Sequence, residues 1–420
     1  MRKAKKIFGN VDWVSVALYL FLMFFGWINI YASQYNDDQK LFLDFSQRYG
    51  KQLIFIAASL FVAFTILILD WKFFEVFSYY LYGGIIFLLI ILLITGNTTA
   101  GSTSWFEIGN YKFQPSEFAK FATILALARY LNTHNINLKA ITTRINCFII
   151  LLLPLILIVL QNDLGTALVF LSLLLMLFRE GLPGNILLFG IVFAILFVIT
   201  LLLDKLIFSG ILVTIALIIF VFSRRRMNEL LIIFTGLILS ISFVFSVNYI
   251  FSNVLEPHHV ERINILLGKE IDPHGSGYNI IQSKIAIGSG GFFGKGFLDG
   301  TQTRFDFVPE QSTDFIFCTI GEEWGFFGSL IFILVFVTLL VRLITLAEKQ
   351  RSKFSRIYGY GVTSILFIHF AINIGMTIGL APVIGIPLPF ISYGGSSLIG
   401  FTLLLFIFLN LDSYRLQILR

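Results

Sequence analysis

The chain has 420 residues, of which 57% are hydrophobic and only 13% are charged, and its mean hydropathy is +0.88. Soluble globular proteins are about half apolar and about 25% charged. The composition therefore excludes a soluble enzyme, a disordered chain and a protein that mainly binds nucleic acid. The net charge is +6, and in a membrane protein such an excess marks cytoplasmic loops. Cys147 and Cys318 form no metal-ligand pattern.

Twelve apolar runs approach the roughly 20 residues that a helix needs to cross a bilayer. They predict an all-α fold, a polytopic bundle of membrane helices in which residues 1–420 form a single integral membrane domain. The predicted spans are centred on 13–32, 52–69, 75–95, 115–131, 145–160, 164–179, 186–203, 206–223, 230–251, 315–341, 358–381 and 395–411.

The basic residues predict the orientation of these spans. The first span follows the basic segment 1–6, but it is too long for the apolar region of a signal peptide, and we expect a retained anchor. If the N-terminus lies inside, nineteen of the thirty Lys and Arg residues fall in inside segments and five in short outside loops. Because cytoplasmic loops carry the excess of Lys and Arg, both termini are predicted to be cytoplasmic.

Two features depart from a simple series of spans. Spans 186–203 and 206–223 are separated by only Asp204 and Lys205, so we expect a hairpin added to a core of ten spans. Removing this hairpin leaves every other orientation unchanged. The single long polar region, 252–314, is rich in glycine and predicted to be a large outer loop. Within it, 280–287 is a candidate re-entrant half-helix, which needs protein or water around its backbone.

The first polar cluster surrounds the start of span 115–131. Trp105 lies in a preceding polar stretch, and Glu117 and Lys120 follow Pro115 in the first turns of the predicted helix. The two charged residues are i,i+3 neighbours and can form an ion pair. Glu117 alone would favour a helix N-terminus and Lys120 alone could extend to the interface, but ionisable groups inside a membrane are functional candidates.

Two aspartates lie at the starts of later spans. Asp163 either caps the helix that follows it or helps to hold a cation or a lipid headgroup. Asp314 stands where the long loop meets the apolar run beginning at Phe315. A partly desolvated carboxylate holds a proton more readily, which suits a general base; the alternative is an N-cap with Thr313 beside it. Glu322 and Glu323 lie further into the span.

The long outer loop also carries cations. Arg262, Lys284 and Lys295 are its candidate ligands for an anion. Its glycines match neither a P-loop nor a GxGxxG fingerprint, and no strand–turn–helix context surrounds them. The five histidines show no metal-ligand spacing, so we expect them to be structural.

A proline-rich segment precedes the last span. A helix cannot continue undisturbed through Pro387 and Pro389, so 385–397 is predicted to be a broken or re-entrant segment that lines a cavity. Ser392 and Ser396 within it are candidate cavity residues. Broken segments of this kind occur in transporters.

Four stretches, 113–120, 161–166, 272–328 and 385–397, together resemble the SEDS family of bacterial cell-wall membrane proteins, in this order and spacing over nearly the whole chain. The family includes RodA of elongation, FtsW of division and a sporulation member. Residues 294–302 resemble RodA more than FtsW. Two departures are Ser104, which stands where many members have an arginine, and the extra hairpin.

The resemblance implies a peptidoglycan glycosyltransferase in the bacterial cytoplasmic (inner) membrane, among its lipids, that polymerises lipid II for cell elongation and rod shape. Its partner would be a class B penicillin-binding protein. Asp314 matches the family's proposed catalytic carboxylate, and Glu117 and Lys120 match residues of its central cavity. The leaving pyrophosphate needs positive charge, from Lys120, Arg262, Lys284 or Lys295, or from a divalent cation such as Mg²⁺ or Mn²⁺.

Two other functions remain open from the sequence. A lipid II flippase would explain the proline-broken segment and the intramembrane charges, but it should also need polar residues on the cytoplasmic side. A non-catalytic scaffold of the wall machinery predicts that Asp314→Asn has no effect. The polar residues concentrate on the predicted outer face, which favours the polymerase.

Overall fold

The structure is a computed structural model that describes residues 7–35, 44–99, 102–109, 111–133, 136–223, 226–253, 260, 264, 276–305 and 307–415. Arg262 lies outside these ranges, so its predicted role stays a prediction. The chain divides into two compact units, one formed by Met1–Leu182 with Asn279–Arg420 and the other by Pro183–Tyr278. That the whole chain is one integral membrane domain also stays a prediction.

Helices make up most of the described chain, which confirms the predicted fold class. After a 3₁₀-helix at Ile7–Asn10, they are α1 (Trp13–Ala32), α2 (Arg48–Ile68), α3 (Trp71–Thr95), α4 (Pro115–Leu131), α5 (Ile141–Leu160), α6 (Leu164–Phe170), α7 (Leu173–Arg179), α8 (Gly184–Leu202), α9 (Lys205–Phe222), α10 (Met227–Asn253), α11 (Ser276–Ser289), α12 (Thr301–Arg304), α13 (Ile316–Glu348), α14 (Lys353–Thr377) and α15 (Gly395–Ser413).

Ten helices in the described ranges are long and apolar enough to cross a membrane. The two remaining predicted spans are helical but shorter. Helix α4 has 17 residues and carries Glu117 and Lys120, while Leu164–Arg179 is an apolar stretch divided into α6 and α7. The shorter α4 buries the side chains of Glu117 and Lys120 among the longer helices.

A small antiparallel sheet, which the hydropathy pattern did not predict, precedes α4. Its strands β1 (Asn97–Thr99), β2 (Ser102–Ile108) and β3 (Tyr111–Phe113) lie in sequential order, and Phe106 pairs with Phe113. The amide of Thr103 donates to the carbonyl of Gln161 at 3.0 Å. The sheet is therefore fixed at the end of α5, and β3 leads directly into α4.

Helix α13 is broken at Gly325, whose φ of 64° and ψ of −162° interrupt the helical hydrogen bonds. The loop at 290–296 pairs with the break. Its amides at Lys295 and Gly296 donate to the carbonyls of Glu322 and Glu323, and its carbonyls at 291 and 292 accept from the amides at 326 and 327. The loop therefore supplies hydrogen-bond partners for two carbonyls and two amides of α13 at the break. An apolar environment requires such partners for backbone groups.

The two ends of the first unit can be told apart from contacts between helices. Gln311, just before α13, donates to the carbonyl of Ser33, just after α1, at 2.7 Å. At the opposite ends of the same helices, Arg342 of α13 donates to Asp12, just before α1, and Gln350, just after α13, donates to Asp412 near the end of α15 at 2.6 Å. The described ends of the chain therefore lie at one end of these helices and Asp314 at the other. Which end is cytoplasmic stays a prediction.

The second unit contains the predicted hairpin. Helices α8 and α9 are joined through residues 203 and 204, and Asp204 caps α9 by accepting from the amide of Leu206 at 2.8 Å. Leu196, Phe208 and Val244 form its buried cluster, so α10 packs against both helices. Most other apolar side chains of this unit are exposed, as expected of surfaces that face lipid.

Candidate active site

Asp314 lies in the turn that leads into α13 and is half-buried. The N-cap residue of α13 is Phe315, whose side chain forms no cap hydrogen bond. Oδ2 of Asp314 lies beside Gly385, where an added Cβ would come within 3.3 Å of it. The φ of Gly385 is 70°, which favours glycine. Asp314 thus faces the proline-rich segment.

Asn373 of α14 holds Asp314 and the proline-rich segment together. Its fully buried amide donates to the carbonyl of Asp314 at 2.8 Å and to that of Ile386 at 2.7 Å. Ser392 makes a second link, since its hydroxyl donates to the carbonyl of Thr313 at 2.5 Å and accepts from the amide of Leu388 at 2.8 Å. The backbone around Asp314 is therefore fixed from two directions.

The segment between α14 and α15 is non-helical, as Pro387 and Pro389 predicted. Phe390 has a φ of 67°, and its ring meets that of Tyr19 edge-on, with centroids 5.1 Å apart. A non-glycine residue at positive φ persists only where the surroundings hold it. Whether the segment is re-entrant stays a prediction.

Glu117 and Lys120 form the predicted i,i+3 ion pair. Nζ of Lys120 lies 2.7 Å from Oε1 of Glu117, and both side chains are essentially inaccessible to solvent, at 0% and 2% exposure. The ammonium also lies 2.8 Å from Nε2 of His369 and 5.0 Å from the ring centroid of Phe401. The pair is therefore part of a buried three-residue cluster.

His369 connects this cluster to the proline-rich segment. Its Nδ1 lies 3.1 Å from the carbonyl of Pro387. A carbonyl can only accept, so Nδ1 carries the proton and Nε2 accepts from the Lys120 ammonium. The spacing of the histidines gave no sign of this contact, although an ionisable residue inside an apolar helix was itself a signal.

Lys295 forms an ion pair with a buried carboxylate, and its predicted contact with the pyrophosphate stays a prediction. Its Nζ lies 2.7 Å from Oε1 of Glu322, which is fully buried. Glu322 also accepts from the amides of Gln302 and Thr303, both at 2.9 Å, at the start of α12. Glu322 therefore ties the outer loop to α13, and Glu323 beside it is also buried.

Other sequence candidates have structural contacts. Asp163 caps α6, accepting from the amide of Thr166 at 3.0 Å and from the side chain of Gln114 at 3.0 Å. Ser396 accepts from the amide of Gln114 at 3.2 Å and donates to the carbonyl of Lys112 at 3.2 Å. These two residues hold the start of α4 in place, while their predicted contact with substrate stays a prediction.

Lys284 and Trp105 remain candidates for contact with substrate. Lys284 is exposed on α11, and its Cδ would lie 3.3 Å from a Cβ at Gly379. Trp105 is half-buried on β2, paired in register with Asn97.

Arg48, one of the five Lys and Arg residues predicted to lie in short outside loops, contacts the turn that leads to Asp314. Its Nη1 donates to the hydroxyl of Ser312 at 2.7 Å, and it also contacts Glu310 at 3.4 Å. Its guanidinium lies 5.9 Å from the ring centroid of Tyr393. Arg48 thus contacts the side chain of Ser312, two residues before Asp314 in the sequence.

No group of three or more His, Cys, Asp or Glu residues within the described ranges could hold a metal ion. A divalent cation that accompanies the pyrophosphate therefore stays a prediction.

Comparisons with known proteins agree with this architecture. A model of the FtsW/RodA/SpoVE cell cycle protein family matches residues 12–207 and 185–417. The peptidoglycan glycosyltransferase RodA of Treponema pallidum is 33% identical over 414 residues, covering 93% of this chain and 94% of its own. The peptidoglycan glycosyltransferase MrdB of Escherichia coli is 35% identical over 327 residues, covering 78% and 75%.

Solved structures give the same result. A chain of a peptidoglycan synthase complex that coordinates polymerization and crosslinking superposes with a TM-score of 0.71 at 28% identity, covering 97% of this chain and 99% of its own. The rod shape-determining protein RodA of Thermus thermophilus superposes with a TM-score of 0.64 at 25% identity, covering 96% and 97%. This chain belongs to the FtsW/RodA/SpoVE family.

Proposed function

We propose that this chain polymerises lipid II at the outer face of the cytoplasmic membrane, with Asp314 as the general base. The chain is a multi-pass membrane protein and, as a member of this family related to RodA and MrdB, a peptidoglycan glycosyltransferase. The observation that carries the proposal is the placement of Asp314, half-buried at the end of the outer loop and fixed through its backbone by Asn373. A general base needs such a fixed position.

The reaction joins a sugar hydroxyl to an anomeric carbon that carries a polyprenyl pyrophosphate. Asp314 takes the proton of the acceptor's 4-hydroxyl while the hydroxyl oxygen forms a bond to the anomeric carbon of the donor. The bond from that carbon to the pyrophosphate oxygen breaks, and the polyprenyl pyrophosphate leaves. A positioned general base contributes roughly 10²–10⁴-fold to such a step.

The pyrophosphate gains negative charge as its bond breaks, and cations close to it stabilise the transition state. Lys120 and Lys295 are already paired with buried carboxylates, which makes them less suitable. Lys284 is exposed. Arg48 contacts the hydroxyl of Ser312, and its ion pair with Glu310 is exposed to solvent, so we favour these two. A cation that binds substrate and transition state equally would lower KM without raising kcat.

A class B penicillin-binding protein is the proposed partner, because glycan strands need a transpeptidase to crosslink them. The similarity to a chain of a peptidoglycan synthase complex supports this assignment. The elongation role rests on the similarity to RodA and MrdB.

Polymerisation of labelled lipid II by the purified full chain in detergent tests the function, alone and with its transpeptidase partner. Detergent micelles offer no second leaflet, so glycan ladders would come from polymerisation and not from transport. The proposal predicts ladders. The proposal would be contradicted if no glycan ladders formed under either condition while the chain still bound lipid II. Movement of lipid II across the membrane of sealed vesicles by the same chain would then favour the flippase.

A further inference from the structure

A polar cavity of about 230 Å³ lies at the end of the first unit opposite Asp314. It is formed by the segment before α1 and by the ends of α13 and α15. Its charged residues are three cations and two carboxylates, namely Arg342, Lys349, Arg415, Asp12 and Asp412. The cavity therefore has a net charge of one positive unit.

Both carboxylates of the cavity are already compensated by neighbouring groups. Asp12 accepts two hydrogen bonds from Arg342 and one from the amide of Ser15; burial opposes its ionisation, but these bonds hold the pKa of Asp12 below its usual range. Asp412 accepts from Gln350 at 2.6 Å and pairs with Arg415. The exposed ammonium of Lys349 then supplies the excess charge, which favours a ligand with one negative charge.

An apolar groove of about 550 Å³ begins next to this cavity. Its walls are one face of α1 and one residue of α13, namely Trp13, Val14, Ala17, Leu18, Phe21 and Val335. Trp13 directly follows Asp12, and Val335 lies seven residues before Arg342, which is roughly 10 Å along the helix. The groove therefore runs from the level of the cavity toward the middle of the membrane, over roughly 12 Å of α1.

We propose that this seam of α1 and α13 binds one anionic phospholipid of the bilayer, with the phosphodiester in the cavity and an acyl chain in the groove. Basic pockets between membrane helices suit anionic headgroups, and Trp13 is placed as an interfacial anchor. Basic residues at helix C-termini can act simply by offsetting the helix dipole, but that role does not account for an apolar groove adjoining the cations. In the predicted topology the site faces the cytoplasmic leaflet.

Native mass spectrometry of the full chain in detergent tests the site with three probes. These are phosphatidylglycerol and phosphatidylcholine with identical dioleoyl chains, and free glycerol 3-phosphate. We expect phosphatidylglycerol to bind most tightly. Lys349→Ala should weaken the binding of phosphatidylglycerol about five-fold. Lys139 is an exposed cation outside the cavity, and Lys139→Ala should leave this binding unchanged. Ala17→Trp, which fills the groove, should weaken the binding of both lipids.

Three outcomes would overturn the proposal. Equal binding of the two lipids by the wild type, or equal losses in Lys349→Ala and Lys139→Ala, would indicate unspecific lipid around the protein. Binding of glycerol 3-phosphate as tight as that of phosphatidylglycerol would indicate a site for a soluble anion. Unchanged thermal unfolding of each variant ensures that a loss of binding is not a loss of fold.

Discussion

Asn373 illustrates at the scale of single residues how an uncharged side chain can position a charged one. Its amide holds the carbonyls of Asp314 and Ile386, while Ser392 binds the neighbouring carbonyl of Thr313. These contacts fix the backbone on both sides of the Asp314 side chain. We regard Asn373 as a positioning residue.

We predict that Asn373→Ala lowers kcat for lipid II polymerisation by at least about ten-fold with little change in KM, because a displacement of about 1 Å can cost roughly 100-fold in rate. Steady-state kinetics of the purified variant provide the check. Asn146→Ala, which removes an amide bound to Tyr130 away from the site, is the matched control. A normal kcat combined with reduced thermal stability would reduce Asn373 to a structural role.

Glu117, Lys120 and His369 form a buried cluster that contains an ion pair. Removing one member of a buried ion pair leaves an uncompensated charge and typically costs about 3–5 kcal/mol. Glu117→Gln should therefore lower the free energy of unfolding by about this amount, measured by denaturation in detergent. The charge-swapped double variant, Glu117→Lys with Lys120→Glu, should recover part of the loss.

Recovery should be only partial, because His369 accepts from position 120 and donates to Pro387. A carboxylate at position 120 would require the opposite tautomer. Equal losses in Glu117→Lys, in Lys120→Glu and in the double variant would argue against simple pairing.

At the scale of elements, the break in α13 allows residues 290–296 of the outer loop to form hydrogen bonds with this helix. Residues 290–296 supply the hydrogen bonds that Gly325 interrupts, and Lys295 adds an ion pair to Glu322. The close approach leaves no room for side chains, since a Cβ at Gly294 would lie 2.0 Å from the carbonyl oxygen of Glu323. The loop that leads to Asp314 is thereby anchored.

We predict that Gly294→Ala lowers the thermal unfolding temperature, because its φ of 84° adds strain of about 1–3 kcal/mol to the steric clash. Differential scanning fluorimetry of the purified chain measures the shift. Gly288→Ala is the control, since a Cβ there meets no atom within 4 Å and alanine favours the helix. Equal shifts in the two variants would refute the role of the contact.

At the scale of the whole molecule, the face that carries Asp314 is predicted to be extracytoplasmic. The two native cysteines are buried, so introduced cysteines can report sidedness. A membrane-impermeant maleimide should label Glu310→Cys in intact cells, whereas Lys139→Cys should react only after the membrane is opened. Both native side chains are exposed. Labelling with the opposite pattern would invalidate the topology and the mechanism.

The sequence predicted the helices and the Glu117–Lys120 pair, because hydropathy and i,i+3 spacing are local patterns. The orientation, which rests on the basic loops, stays a prediction. The contacts of Lys120 with His369, of Asn373 with Asp314 and of Lys295 with Glu322 join distant parts of the chain. A single sequence does not encode such proximity in any local pattern. The role of Asp314 stays a prediction that rests on the family resemblance.

The short sheet was missed for a different reason. Its strands have three to seven residues, well below the length of a hydropathy window for membrane helices. The Gly109-Asn110 pair between residues 102–108 and 111–113 was the signal that could have revealed it, because a two-residue Gly-Asn connection favours a β-hairpin.

The most direct test of the account compares Asp314→Asn with Asp204→Asn in the polymerisation of labelled lipid II. Asp204 caps α9 on the same predicted face, and asparagine is an equally good cap, so this control changes a carboxylate to the same amide without affecting the site. We predict that Asp314→Asn lowers the rate by roughly 10²–10⁴-fold while lipid II binding and thermal stability stay intact, and that Asp204→Asn keeps the wild-type rate. Glycan ladders formed by Asp314→Asn at the wild-type rate would contradict the assignment of Asp314 as general base.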